Sequence, residues 1–161
     1  MNRKTTGWMV AAALGLGVAG AASAADSLAR FEGGIGSQPL RASAPGVAAA
    51  NDVFGVNPGG RPWVIAQLSA DVKTDGRISV AGRGLLLAGG NSVGYTGNQS
   101  VRARLVCGSV FHDTALVPLE PDGDFRIDDA FIPPPPVPCA SPVLLILNGA
   151  GAWFAAGIPK P

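Results

Sequence analysis

The chain has a single histidine, His112, and two cysteines, Cys107 and Cys139. So few imidazoles and thiols exclude a structural zinc site, which needs four such ligands. They also leave His112 as the one side chain suited to acid-base work near neutral pH. Charge is scarce, at 14% of residues against roughly 25% in ordinary soluble domains. No block of Lys or Arg occurs, so neither nucleic acid nor an anionic membrane surface is indicated as a partner. Helical periodicity is missing beyond residue 24, and so is the Gly-x-Ser-x-Gly nucleophile elbow of many hydrolases.

The first residues do carry a pattern. Arg3 and Lys4 precede an apolar run from Trp8 to Ala19, and Ala22-Ser23-Ala24 supplies the small residues of a signal-peptidase site. Cleavage between Ala24 and Ala25 is expected, giving a signal peptide over 1–24 and a single domain over 25–161. The run is short and rich in Ala and Gly for a membrane span, and no cysteine lies near the site to accept a lipid. The expected product is exported, periplasmic or extracellular, monomeric, and without an integral membrane segment after cleavage. Losing Arg3 and Lys4 turns the net charge of +1 slightly negative.

Export places the cysteines where disulfides persist, and an even count favours one internal Cys107–Cys139 bridge. Two free buried thiols or a dimer-linking bridge are the alternatives. Closing a loop of about 31 residues would stabilise the fold by roughly 3 to 4 kcal/mol.

With 23 glycines, 14 prolines and 47% hydrophobic residues, the chain reads as all-β. Val64, Ala66, Leu68, Ala70 and Val72 alternate before Thr74-Asp75-Gly76, and Ile78 and Val80 continue the apolar set after it. A two-residue turn would put the two sets on opposite faces. A three-residue loop instead sets Val72 opposite Ile78, Ala70 opposite Val80 and Val64 opposite Leu86, with Gly76 left-handed. The same arithmetic at Pro121-Asp122-Gly123 sets Leu119 opposite Phe125 and Val117 opposite Ile127.

Further strands are expected at Leu28 to Ile35, Val101 to Cys107, Val143 to Leu147 and Ala152 to Ile158. Val143 to Leu147 is apolar at every position, as in a central strand covered on both faces, and Asn148 to Gly151 turns it back. Pro133 to Pro136 and Pro138 form a stiff crossing before it. Gly46 to Gly60 and Gly89 to Asn98 read as long loops. About seven strands suit an immunoglobulin- or prealbumin-like two-sheet sandwich, with an open barrel as the rival.

Candidate chemistry is thin. His112-Asp113 is the one imidazole–carboxylate neighbour pair, but adjacent strand residues point to opposite faces, and a lone loop His is ordinarily solvated. Asp122, Asp124 and Asp128 are a weak calcium candidate, because their spacing departs from the known loop pattern and turn formation explains Asp122. Trp63, Trp153, Phe154 and Phe131 read as core or sheet-edge aromatics. No cofactor is expected.

The blocks Ala29-Arg30-Phe31-Glu32-Gly33-Gly34-Ile35-Gly36, Arg61-Pro62-Trp63-Val64-Ile65, Gly84-Leu85-Leu86-Leu87-Ala88-Gly89-Gly90, Gly123-Asp124-Phe125-Arg126-Ile127 and Trp153-Phe154-Ala155-Ala156-Gly157-Ile158-Pro159 together resemble a family of small exported bacterial proteins of unknown function. That resemblance implies no catalytic motif. Cys107, Gly123-Asp124-Phe125 and Cys139, in that order, are more loosely similar to prealbumin-like and pollen-allergen-like sandwiches, which bears on fold alone. The function expected is a non-catalytic envelope or extracellular module that binds a protein or glycan through loops at one end, or serves structurally. A small secreted hydrolase using His112 and Asp113 is the alternative.

Overall fold

The computed structural model describes residues 25–161; the expected signal peptide over 1–24, with Ala24 on one side of its cleavage site, lies outside them. The described chain is all-β and sandwich-like, and no helix in it is long and apolar enough to cross a membrane.

The first reversal follows the sequence arithmetic. β5 (Gln67–Lys73) and β6 (Arg77–Arg83) pair antiparallel, with Val72 opposite Ile78 and Ala70 opposite Val80. Gly76 sits at φ +89° and donates its N–H to Lys73 O at 3.0 Å, the conformation that a side chain would strain. The register carries on into β4 (Trp63–Val64) and β7 (Leu86–Leu87), where Val64 lies opposite Leu86. The faces, however, exchange. Trp63, Leu85 and Leu87 are buried while Val64 is exposed, because left-handed Gly84 (φ +63°) breaks the alternation between β6 and β7.

At Pro121-Asp122-Gly123 the loop forms but the long hairpin does not. Gly123 N–H reaches Glu120 O at 2.8 Å and Glu120 N–H reaches Asp124 O at 2.9 Å; Leu119 and Phe125 are buried just beyond. There the two strands part. β10 (Val117–Pro118) pairs with β8 (Ser100–Cys107), and β11 (Phe125–Ala130) pairs along its whole length with β6. The expected Val117–Ile127 pair is therefore absent. Each strand has a better ladder elsewhere, and Pro118 has no N–H to give a partner.

Adding β1 (Ser27–Gly36), β9 (Val110–Asp113), β12 (Val143–Asn148) and β13 (Trp153–Lys160) gives the main sheet the order β10-β8-β12-β13-β1-β5-β6-β11, with β9 alongside β8. Its first and last strands are joined by the Pro121–Gly123 turn, so one antiparallel sheet curls until its halves face each other. The β1–β13 ladder shifts register between Phe31 and Gly34, a bulge that bends the sheet at the middle of the curl. Phe31, Val72 and Val80 from one half meet Leu105, Leu144 and Ile146 from the other in one core. Among the described residues thirteen strands replace the expected seven or so, several only two residues long.

β12 is covered on both faces, as its unbroken apolar run implied. Leu144 and Ile146 face the main core, while Leu145 and Leu147 pack with Trp153 and Val56 on the outside. The outer cover comes from the segment expected to be a free loop. After the ribbon formed by β2 (Leu40–Ala44) and β3 (Val47–Ala50), the chain straps across Trp153. The indole donates to Asn51 O at 3.0 Å, and the Trp153 backbone bonds Asn57 O and Gly59 N–H, each at 2.9 Å. Each large side chain buried under the strap is worth about 1.5–3 kcal/mol.

Connections fall at two ends. Residues 37–62, 84–99, 119–124 and 148–152 share one, which we call the loop end; 74–76, 108–109 and 131–142 share the other. The Cys107–Cys139 disulfide forms as expected at the second end, with Cα atoms 5.0 Å apart.

Candidate functional site

His112 is buried in β9 and not solvated as expected. Its Nδ1 lies 3.3 Å from Pro133 O, its ring meets Phe131 edge-on at 6.0 Å between centroids, and its Nε2 has no partner among the described residues. Strand alternation turns Asp113 to the other face. There Arg104 donates to both carboxylate oxygens at 2.6 Å while its guanidinium also lies over Phe111 at 4.7 Å. Hydrogen bonding to that carboxylate raises the pKa of Arg104 further above its ordinary value, against the opposing effect of burial. The pair that sequence offered for acid-base chemistry is thus divided by the strand. Its members hold β9 to the proline segment and to β8.

The three carboxylates of the calcium candidate are likewise spoken for separately. Asp122 Oδ1 accepts Asp124 N–H at 3.1 Å, closing the turn. Asp124 accepts Gly84 N–H at 3.0 Å, tying that turn to the bulge after β6. Asp128 accepts from Ser79 Oγ across the β6–β11 ladder at 2.6 Å. Among the described residues no three His, Cys, Asp or Glu side chains gather as a metal site would require.

The solvent face of β5, β6 and β11 holds a cavity of about 480 Å³ lined by Asp71, Lys73, Arg77, Ile78, Ser79, Asp128, Asp129 and Ala130. Burial opposes ionisation of Asp71, yet hydrogen bonds from Lys73 Nζ and Ser27 Oγ, both 2.7 Å, hold its pKa below the ordinary carboxylate range. Asp75 is lowered in the same direction by Arg77. Asp129 bonds Ala115 N–H at 2.7 Å, tying β11 to the edge of the opposite half. The carboxylates Asp71 and Asp75 of this face are thus paired with Lys73 and Arg77 within the fold.

The loop end differs. Its two long segments, which contain the expected loops Gly46–Gly60 and Gly89–Asn98, are tied side by side. Arg61 donates to Ser92 Oγ at 3.0 Å, and Ala88 N–H donates to Pro62 O at 2.8 Å. Beneath them Trp63 stacks on Phe154 with centroids 3.8 Å apart, so this surface rests on a packed aromatic floor. In these two segments Phe54 is 51% exposed, Val93 57% and Tyr95 67%. Phe54 occupies the tip of the Val53–Val56 reversal in a left-handed conformation (φ 50°), a position an apolar aromatic does not favour on local grounds. Tyr95 is fixed from behind, its carbonyl accepting Leu87 N–H at 3.0 Å.

Trp63, Trp153, Phe154 and Phe131, read as core or sheet-edge aromatics, are all buried, whereas the sequence reading passed over Phe54 and Tyr95. The available signal was their neighbourhood. Each adjoins a glycine in a stretch without alternation, where no strand face could bury it. Compared with family models, with curated proteins and with solved structures, the chain matches none.

Proposed function

We propose that this chain is an exported, non-catalytic binding module that holds a protein or glycan surface at its loop end. The observation that supports this reading is that two tethered segments of the loop end expose Phe54, Val93 and Tyr95 while the Trp63–Phe154 stack lies buried at the same end. Aromatic side chains supply large contact area with few rotors to freeze. A rigid floor keeps the ordering cost of binding low. Export is supported by the disulfide, which persists in oxidising compartments, and by the leader-like first residues. The hydrolase reading loses ground because His112 and Asp113 face opposite ways.

The test is capture of cell-surface and medium components from the native culture, together with an array of purified glycans, by the wild-type protein and by a Phe54→Ala/Tyr95→Ala variant. Both side chains are exposed, so the variant should melt with the wild type and lose capture. Equal capture by the two proteins would reject the loop end as the binding surface.

A further inference from the structure

We infer that two copies of this chain associate through the free edge of β3, strand against strand across a two-fold axis, to make a four-stranded β2-β3-β3-β2 sheet. The ribbon β2–β3 stands off the body with nearly every residue exposed; Leu40 is 63% and Val47 54% accessible. An isolated two-stranded hairpin is at best marginally stable in water, so an ordered one invites a partner. The ladder shows which groups are free. Asn51 N–H bonds Pro39 O at 3.1 Å, which makes 39–51 a hydrogen-bonded pair. Two residues on, Arg41 and Ala49 bond each other in the same way. Ala48 and Ala50 therefore turn their N–H and C=O groups away from β2, into solvent.

Elsewhere the fold guards its edges. β10 carries Pro118, and β11 carries Arg126, Asp128 and Asp129, the usual protections against edge pairing. The other side of the ribbon is interrupted by a bulge at Ser43 in β2. Among the described edge strands of four or more residues, only Val47-Ala48-Ala49-Ala50 lacks proline, charge and bulge alike.

A second copy is the occupant this edge fits. Antiparallel pairing of a strand with itself is what a two-fold axis produces. Centred on Ala49, it sets Ala48 opposite the second copy's Ala50 and joins all the outward groups of both residues. No charge lies on β3, and the nearest, Arg41, is paired with Asp52 at 3.5 Å, so like copies meet without repulsion while a charged strand would find no complement. The apolar face formed by Leu40, Ala42, Ala48 and Ala50 becomes continuous across the pair. The bulged outer edges of β2 then stop growth at two copies. The contact is far smaller than the roughly 800 Å² per partner of a standard interface, so association is weak and depends on concentration.

Sedimentation of the purified protein from about 1 µM to about 1 mM should show monomer passing to dimer. Ala48→Pro removes an outward N–H that β2 does not use, and should weaken the dimer at least tenfold with an unchanged melting midpoint. Should that proline disturb the ribbon, a charge pair decides: Ala48→Lys alone weakens the dimer, and mixing it with Ala50→Glu restores it. A monomer throughout, a mass that grows beyond two copies, or a dimer indifferent to both substitutions would overturn the inference. Mass and ligand capture are separate readouts, so this inference and the loop-end reading fail independently.

Discussion

Opening the Cys107–Cys139 bridge should cost this fold a large part of its stability. The two cysteines are 32 residues apart, and the segment between them contains β9, β10 and β11, the strands at both ends of the curled sheet. Releasing a loop of that length returns about 3.5–4 kcal/mol of chain entropy to the unfolded state. With an unfolding entropy near 2.1 cal/mol/K per residue over roughly 140 residues, the melting midpoint should fall by about 12 °C. Two routes reach the same state. Reduction of the native protein keeps both sulfurs in place; the Cys107→Ala/Cys139→Ala variant removes them and adds a small packing loss at buried Cys107. Reversible thermal unfolding followed by circular dichroism and calorimetry reads the shift, and thiol titration confirms that two thiols appear only after reduction. A fall of less than about 3 °C by both routes would mean that the bridge does not restrain the unfolded chain as argued.

Gly123→Ala should destabilise by at least about 2 kcal/mol, because the residue sits at φ +85° and a Cβ would lie 2.6 Å from Leu85 N; chemical denaturation at constant slope measures it. His112→Ala should cost about 1–3 kcal/mol from lost packing and leave any background activity on ester and peptide substrates unchanged, whereas abolished turnover would revive the hydrolase reading. Asp71 has a folded pKa below its ordinary 3.8, so its contribution is full above that value and is lost as pH falls from there through the folded pKa. Asp71→Asn should therefore flatten the loss of stability on acidification below the ordinary carboxylate pKa, by less than about 1 kcal/mol because the pair is partly screened. Equal acid sensitivity of the two proteins would contradict the assigned partners.

What the sequence could disclose was local. Turn chemistry and alternation placed Gly76 and the Val72–Ile78 pair, because a three-residue reversal fixes its own register. The Pro121–Gly123 reversal was equally legible, yet the partners of Val117 and Ile127 were not. Strand choice is decided by ladders with β8 and β6, distant in sequence, and no local pattern reports them. His112 shows the same limit. Alternation says that it opposes Asp113, but the Phe131–Pro133 segment that covers it arrives by a crossing connection. Gly46–Gly60 read as loop because Ala, Gly and Asn dominate it; that part of it seals the outer face of Leu145 and Leu147 follows only from the fold.

One curled sheet, with β12 buried on both faces, carries a ribbon, β2–β3, that contributes little to its stability. Residue-resolved hydrogen exchange in dilute solution tests this most directly. Amides of Val143–Asn148 should exchange only through global unfolding, and those of Leu40–Ala44 by local opening, orders of magnitude faster. Comparable protection in the two segments, or rapid exchange along Val143–Asn148, would contradict the account.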